Sequence, residues 1–321
     1  MLLPSHIIWY LPLVLVPFLA GMVLDTAGWS RLLGTPAKVP FRKLLGVHIG
    51  TESLLLTLPG GFAVSDAAKV VLLKRGGNIQ PPETLASLLA RRWLLGSSQF
   101  LFVFGSIILG LSFRSGSDRG STIPFAGELS SMPVLLAAAV TLVVGVIILT
   151  RGGVAAGTHR LLSALLPRRH RDRLDKHLPA FLEVDACLST FGRRHWYDIG
   201  LVFLLFFLSW VMDALETVVI ARVIGFDAGF VAVLIVEAIL SVVKLAVFFL
   251  PSGIVVKDLG YVALFGAAGI VVSAPQIAVF IAAKRLVNVV WIVIGLIVLL
   301  GSGYRLPKKR AALYKTAVEP S

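Results

Sequence analysis

Long apolar runs separated by short polar segments dominate the chain, at residues 6–24, 44–58, 61–73, 84–113, 133–150, 198–224, 229–250, 254–272 and 276–302. A helix needs about 20 apolar residues to cross a ~30 Å hydrocarbon core. The pattern therefore predicts an all-α, polytopic membrane protein. Two breaks interrupt it. Residues 59–66 read P-G-G-F-A-V-S-D and residues 251–258 read P-S-G-I-V-V-K-D, with Pro, Gly, Val and Asp in the same four places of eight. The runs on either side are too short, or joined too directly, to be separate spans with a solvent loop between them. Each pair is expected to form two helices that meet inside the membrane, a re-entrant hairpin. Non-helical backbone at that depth is tolerated only where it faces protein or a watery cavity.

Composition narrows the class further. The chain has 321 residues, 57% hydrophobic and 15% charged, with a mean hydropathy of +0.90, whereas a soluble domain carries about 25% charged residues. The net charge of +13 is not read as a nucleic-acid signal, because the Lys and Arg cluster between apolar runs without interleaved aromatics. It reads instead as orientation signal and attraction to anionic lipid. The single cysteine, Cys187, excludes an intramolecular disulfide and a cysteine metal cage. No Lys or Arg precedes the first run, so it is expected to be a retained helix, bent at Pro12 and Pro17, rather than a cleaved signal.

The positive-inside rule then places the N-terminus outside and residues 25–43, 74–83, 151–197 and 303–321 in the cytoplasm of an inner (plasma) membrane protein. Three crossings separate the two hairpins, so the halves are expected to be inverted repeats. The boundaries are 1–152 for the N-terminal half, 153–197 for a basic cytoplasmic linker and 198–321 for the C-terminal half with its basic tail.

The repeat extends beyond the octapeptides. A-R-R-W at 90–93 aligns with A-K-R-L at 283–286, which puts Arg92 33 residues after Pro59 and Arg285 34 after Pro251. Each arginine is about 14 Å into its run, near mid-membrane, where it costs at least ~2.5 kcal/mol without a partner. Seven residues before each proline stand Glu52 and Lys244, and Asp213, Glu216 and Glu237 add charge in the second half. These residues are candidates for structural ion pairs or for a polar substrate site. Asp66 and Asp258 are placed to cap the helix starts, to orient an arginine or to meet a cationic head group. Pro59 and Pro251 are the structural breaks. Gly61 and Gly253 serve the backbone there and leave room for a ligand.

No catalytic set is expected, since the histidines are assigned to soluble segments and the intramembrane serines lack a base. The linker at 165–184 offers His170 and His177 near Asp175 but no compact ligand set, so a basic amphipathic helix on the inner membrane face is expected there rather than a metal site. K-R-G-G at 74–77 lacks P-loop spacing. No cofactor is implied.

The stretch GVHIGTESLLLTLPGGFAVSDAAKVVLLKR with RRWLL downstream, and VEAILSVVKLAVFFLPSGIVVKDLGYVALF with KRLVNVVWIVIGL downstream, resemble the membrane region of lysylphosphatidylglycerol synthase and its stand-alone, flippase-like relatives, including hopanoid-cluster-associated proteins. The likeness covers roughly residues 30–302. Where the family pattern has extra glycines and a glutamate, this chain has Ala63, Val64 and Asp66, and Val255 and Asp258. Free N–H groups at the helix starts after the breaks, with Arg92 and Arg285, make a place for a phosphate, so an anionic lipid is the expected partner. The soluble aminoacyl transferase domain of the lysylphosphatidylglycerol enzyme is not expected here, because nothing after residue 302 could form one, and aminoacyl-lipid synthesis by this chain alone is not expected. Three readings stay open: a transporter moving a phosphate-bearing, polyprenyl or hopanoid lipid between leaflets; an integral-membrane enzyme with Asp66 or Asp258 as base; and a non-transporting subunit. Association with itself or with a lipid-biosynthetic protein is open as well.

Overall fold

The computed structural model describes residues 7–33, 39–58, 60–77, 79–114, 153–165, 171, 175–176, 178–191, 196–246 and 254–301. Among them the chain is helical: α1 (Ile7–Leu32), α2 (Phe41–Thr57), α3 (Gly61–Gly77), α4 (Pro81–Arg114), α5 (Val154–Leu165), α6 (Leu178–Phe191), α7 (Trp196–Ile224), α8 (Phe230–Ala246), α9 (Ile254–Ala267) and α10 (Ala274–Gly301). The expected run at 133–150 lies outside the described residues, as do Pro59, Pro251 and Gly253.

Helix lengths repeat in order. The first four helices have 26, 17, 17 and 34 residues, and the last four have 29, 17, 14 and 28. In each quartet the outer two, α1 and α4 or α7 and α10, are long and apolar enough to cross a membrane. The inner helices reach only about 21–26 Å at 1.5 Å per residue, short of a full hydrocarbon core.

The first break falls where the sequence puts it. Leu58 is extended, Gly60 takes a left-handed φ of 64°, and α3 starts at Gly61, whose N–H donates to Leu58 O at 3.0 Å. A Cβ on Gly61 would stand 2.5 Å from Leu55 O, so only glycine lets α3 fold back this closely on α2.

One boundary differs from expectation. The first apolar run ends at residue 24, but α1 continues through Asp25 and Thr26 to Leu32. The polar residues stay inside because each finds a partner: Thr26 Oγ1 donates to Met22 O at 2.7 Å, and Asp25 accepts from Arg91. Beyond them, Trp29 and Leu32 are buried again. Pro12 and Pro17 both lie within α1.

The two quartets pack reciprocally. α1 lies along α7, α2 packs on α10, and α4 packs on α8, so the second helix of each quartet is covered by the fourth helix of the other. Glycines set these approaches. A Cβ on Gly28 would come within 2.5 Å of the Phe206 ring, one on Gly295 within 2.7 Å of Ile49 O, and one on Gly110 within 2.5 Å of Ile235. The aliphatic and aromatic core is continuous through the second quartet, around Phe226, Tyr261, Phe265 and Phe280, while Trp29, Leu44, Leu73 and Ile79 form a smaller core in the first.

Between the quartets, Asp185 of α6 caps α5 by accepting the N–H groups of Ala155 and Ala156 at 2.9 and 2.8 Å. Val184 and Leu188 of α6 pack against the core that α4 and α7 share.

Candidate functional site

Both quartets concentrate their buried charge at the same place in the chain, where the helix after the break meets the two adjacent cations of the fourth helix. In the first, Arg92 donates from Nε to Asp66 Oδ2 at 2.7 Å, and its Nη2 stands 2.6 Å from the same oxygen. In the second, Arg285 donates from Nε to Asp258 Oδ2 at 3.0 Å and from Nη2 to that oxygen. Both arginines thus spend one edge of the guanidinium on a single carboxylate oxygen. Arginine and aspartate side chains are 37% and 20% exposed in each pair.

The preceding cation of each fourth helix turns the other way. One residue earlier on a helix is about 100° around its axis, so Arg91 and Lys284 reach the long helix that opens their quartet. Arg91 forks onto Asp25 of α1, with Nε to Oδ1 at 2.8 Å and Nη2 to Oδ2. Lys284 donates to Glu216 Oε1 of α7 at 2.8 Å. These inner pairs are largely shut away, with side-chain exposures of 14% or less.

Around this shared plan the halves diverge. In the first, His48 of α2 sits 1% exposed between Asp25, Arg91 and Glu52, and Lys69 of α3 pairs with Asp66 at 3.5 Å and lies 5.8 Å above the Trp29 ring. In the second, Glu237 of α8 is the hub. It accepts the hydroxyls of Thr217 and Tyr261 and pairs with Lys257 at 3.3 Å and Lys284 at 3.8 Å. Glu237, Lys257 and Asp213 line a small open cleft with Phe102, Trp210 and Ser241.

Of the residues expected from sequence, Arg92, Asp66, Arg285 and Asp258 come together as two pairs, Glu52 joins the His48 cluster, and Glu237 anchors the second network. Gly61 opens α3. Lys244 lies in α8 with a side chain outside the described residues, as are His170 and His177. Asp175 meets His159 at 3.3 Å.

Sequence reasoning missed Asp25, His48, Lys69, Arg91, Lys257, Tyr261 and Lys284. Assigning the histidines to soluble segments is corrected at His48, which is buried within α2. The available signal was the doublet itself: two adjacent cations on a membrane helix face different neighbours and need two acids. Asp25 and Glu216 precede their doublets by 66 and 68 residues.

No curated protein and no solved structure matches the chain. The family model described as the lysylphosphatidylglycerol synthase TM region matches residues 2–297, which takes in the first quartet, the linker and all but the last turn of the second quartet. This multi-pass membrane protein, with its two acid-paired cation doublets, therefore belongs to the lysylphosphatidylglycerol synthase TM-region family.

Proposed function

We propose that the protein moves a phosphate-bearing anionic lipid between leaflets, and that the Asp66/Arg92 and Asp258/Arg285 pairs are its head-group contacts. The carrying observation is the repetition: the same acid and base meet through the same guanidinium edge, at the same partial exposure, in both halves. A carboxylate that engages only the Nε and Nη2 edge leaves Nη1 for a third partner, and phosphate oxygens suit that geometry. The guanidinium is held oriented before the lipid arrives, which lowers the cost of binding.

The short inner helices and the reciprocal packing support a transport cycle. In this reading each inner pair is a re-entrant hairpin, the quartets are inverted, and exchanging the exposure of the two pairs carries the head group across. A catalytic centre has no use for a second copy. The N-terminus outside, the C-terminus in the cytoplasm and the inner membrane as location belong to the same reading.

The test is leaflet exchange of a fluorescent anionic lipid in proteoliposomes, followed by dithionite quenching. Arg92→Gln and Arg285→Gln, each purified and shown to be folded, should each slow exchange by about ten- to a hundredfold, the loss of one charge-assisted contact worth roughly 1.5–3 kcal/mol. The lysine variants should recover only part, because the fork is lost. Full exchange by a folded Arg92→Gln, Arg285→Gln protein would make both pairs structural and end the phosphate reading.

A further inference from the structure

The His48 cluster has no counterpart in the second quartet, and the lipid contacts do not use it. Its hydrogen bonds fix the state of the ring. Thr26 Oγ1 gives its proton to Met22 O at 2.7 Å, so toward His48 Nδ1, 2.8 Å away, it can only accept. Nδ1 therefore carries the ring proton. Nε2 is left with its lone pair, which meets Arg91 Nη2 as a donor at 3.3 Å. The imidazole is neutral as it stands, and its one unprotonated nitrogen is Nε2.

Two carboxylates face that position: Asp25 Oδ2 at 3.7 Å from α1 and Glu52 Oε2 at 3.9 Å from the next turn of α2. Two cations oppose them, Arg91 from α4 and Lys69 from α3, the latter lying across Trp29, whose ring meets His48 edge-on at 6.1 Å. From α10, which packs on α2, the neighbours at Gly50 are the uncharged Leu299 and Gly295. From α7, packed on α1, Phe206 stands at Gly28. Of the four groups around Nε2, Glu52 has the most open side chain, 22% exposed against 14% for Asp25, 10% for Arg91 and 3% for Lys69.

We propose that His48 Nε2 is a proton-binding site, fed through Glu52, whose occupancy loosens Arg91 from Asp25 and so couples lipid movement to a proton gradient. A proton arriving from solution on Glu52 passes to the Nε2 lone pair and leaves an imidazolium whose new N–H points at the carboxylates. Arg91 Nη2 then faces a donor instead of an acceptor. Imidazolium and guanidinium compete for the same oxygen, Asp25 Oδ2, which each already approaches. Arg91 is covalently adjacent to Arg92, so a shift of that stretch of α4 reaches the Asp66 pair directly. The second half, with Lys284 in place of Arg91 and no histidine in its network, lacks the device. The coupling part rests on the transport reading; the proton site does not.

Two measurements on the full-length protein separate these parts. In the first, ¹⁵N-histidine-labelled protein in detergent is titrated by NMR, with His48→Gln identifying the resonance. The expected result is a ring protonated at Nδ1 alone at high pH that converts to imidazolium as pH falls, and a Thr26→Val variant in which the tautomer balance moves toward Nε2–H. A His48 resonance in one unchanging state from pH 5 to 9 would overturn the site whatever the transport result. In the second, lipid exchange in proteoliposomes is compared with and without an imposed pH gradient. Wild type should respond severalfold, His48→Gln should show a ratio near one, and Glu52→Gln should show a reduced ratio. An undiminished ratio in folded His48→Gln would overturn the coupling. Absence of lipid exchange in wild type, with His48 titrating as described, would remove the transport reading and the coupling while leaving the proton site standing. Should His48→Gln fail to fold, Glu52→Gln carries the same decision, since an unaltered ratio there overturns the relay.

Discussion

The first and second quartets solve one electrostatic problem with different chemistry. Each must hold an adjacent pair of cations on a long apolar helix, and each divides them between an acid on its opening helix and an aspartate after its break. The outer pairs match in residue type, edge and exposure, whereas the inner networks do not: Asp25, Arg91 and a neutral imidazole on one side, Glu216, Lys284, Glu237 and Tyr261 on the other. Features that a duplicated arrangement keeps in both copies point to a shared task. Features that differ point to tasks performed once.

The sharpest way to break the comparison is to remove the inner acids. Stripping one partner from a buried ion pair costs about 3–5 kcal/mol because the other charge is left stranded. Asp25→Leu should show that full loss in thermal unfolding in detergent. Glu216→Leu should lose less, because Glu237 already stands 3.8 Å from Lys284. Equal losses would mean that Glu237 provides no substitute.

A second test concerns the residue three after each aspartate, Lys69 in one half and Tyr261 in the other. Tyr261→Phe deletes a hydrogen bond to Glu237 and should cost about 1.5–3 kcal/mol of stability, the range for bonds to charged groups. Lys69→Met removes a cation that both Asp66 and the Trp29 ring receive, so it should also alter lipid exchange. If Tyr261→Phe disturbed exchange as strongly as Lys69→Met, the inner networks would be functionally alike.

Reciprocal packing gives a third. Gly295→Val drives a side chain onto the Ile49 carbonyl and Ser53 Cβ, which cannot swing away, and should cost about 1–3 kcal/mol. Gly110→Val meets the end of the Ile235 side chain, which can turn aside, so melting curves should show the smaller loss there. The smallest effect is expected on the linker: burial and the charges of Glu83 and Glu183 hold the Cys187 thiol above its ordinary pKa. Less thiolate is present at pH 7 than for a free thiol, so maleimide labelling should be slow and accelerate as pH rises. Glu83→Gln should quicken it modestly at pH 7.

The outer site was legible in the sequence because it is written twice. Pro, Gly and Asp at fixed offsets, followed by an arginine 33 or 34 residues later, single out four residues that pair in space. The inner site was not, for identifiable reasons. Charge at Asp25 looks like the end of a span, although Arg91 neutralises it within the helix. His48 stands in the more polar half of α2, where nothing local says that Thr26 will fix its tautomer. Glu237 was noticed as a charge in an apolar run, but its four partners come from three other helices, and sequence order does not bring those together.

Covering α2 with α10 and α8 with α4 makes neither half self-sufficient. Each alone would face lipid with the small-residue surfaces that the other fills, at Gly28, Gly110 and Gly295, and lose that close packing. A polypeptide severed in the segment between α6 and α7 would hold together as two fragments made side by side, as two subunits of a dimer do, and the covalent connection serves to fix their ratio at one to one.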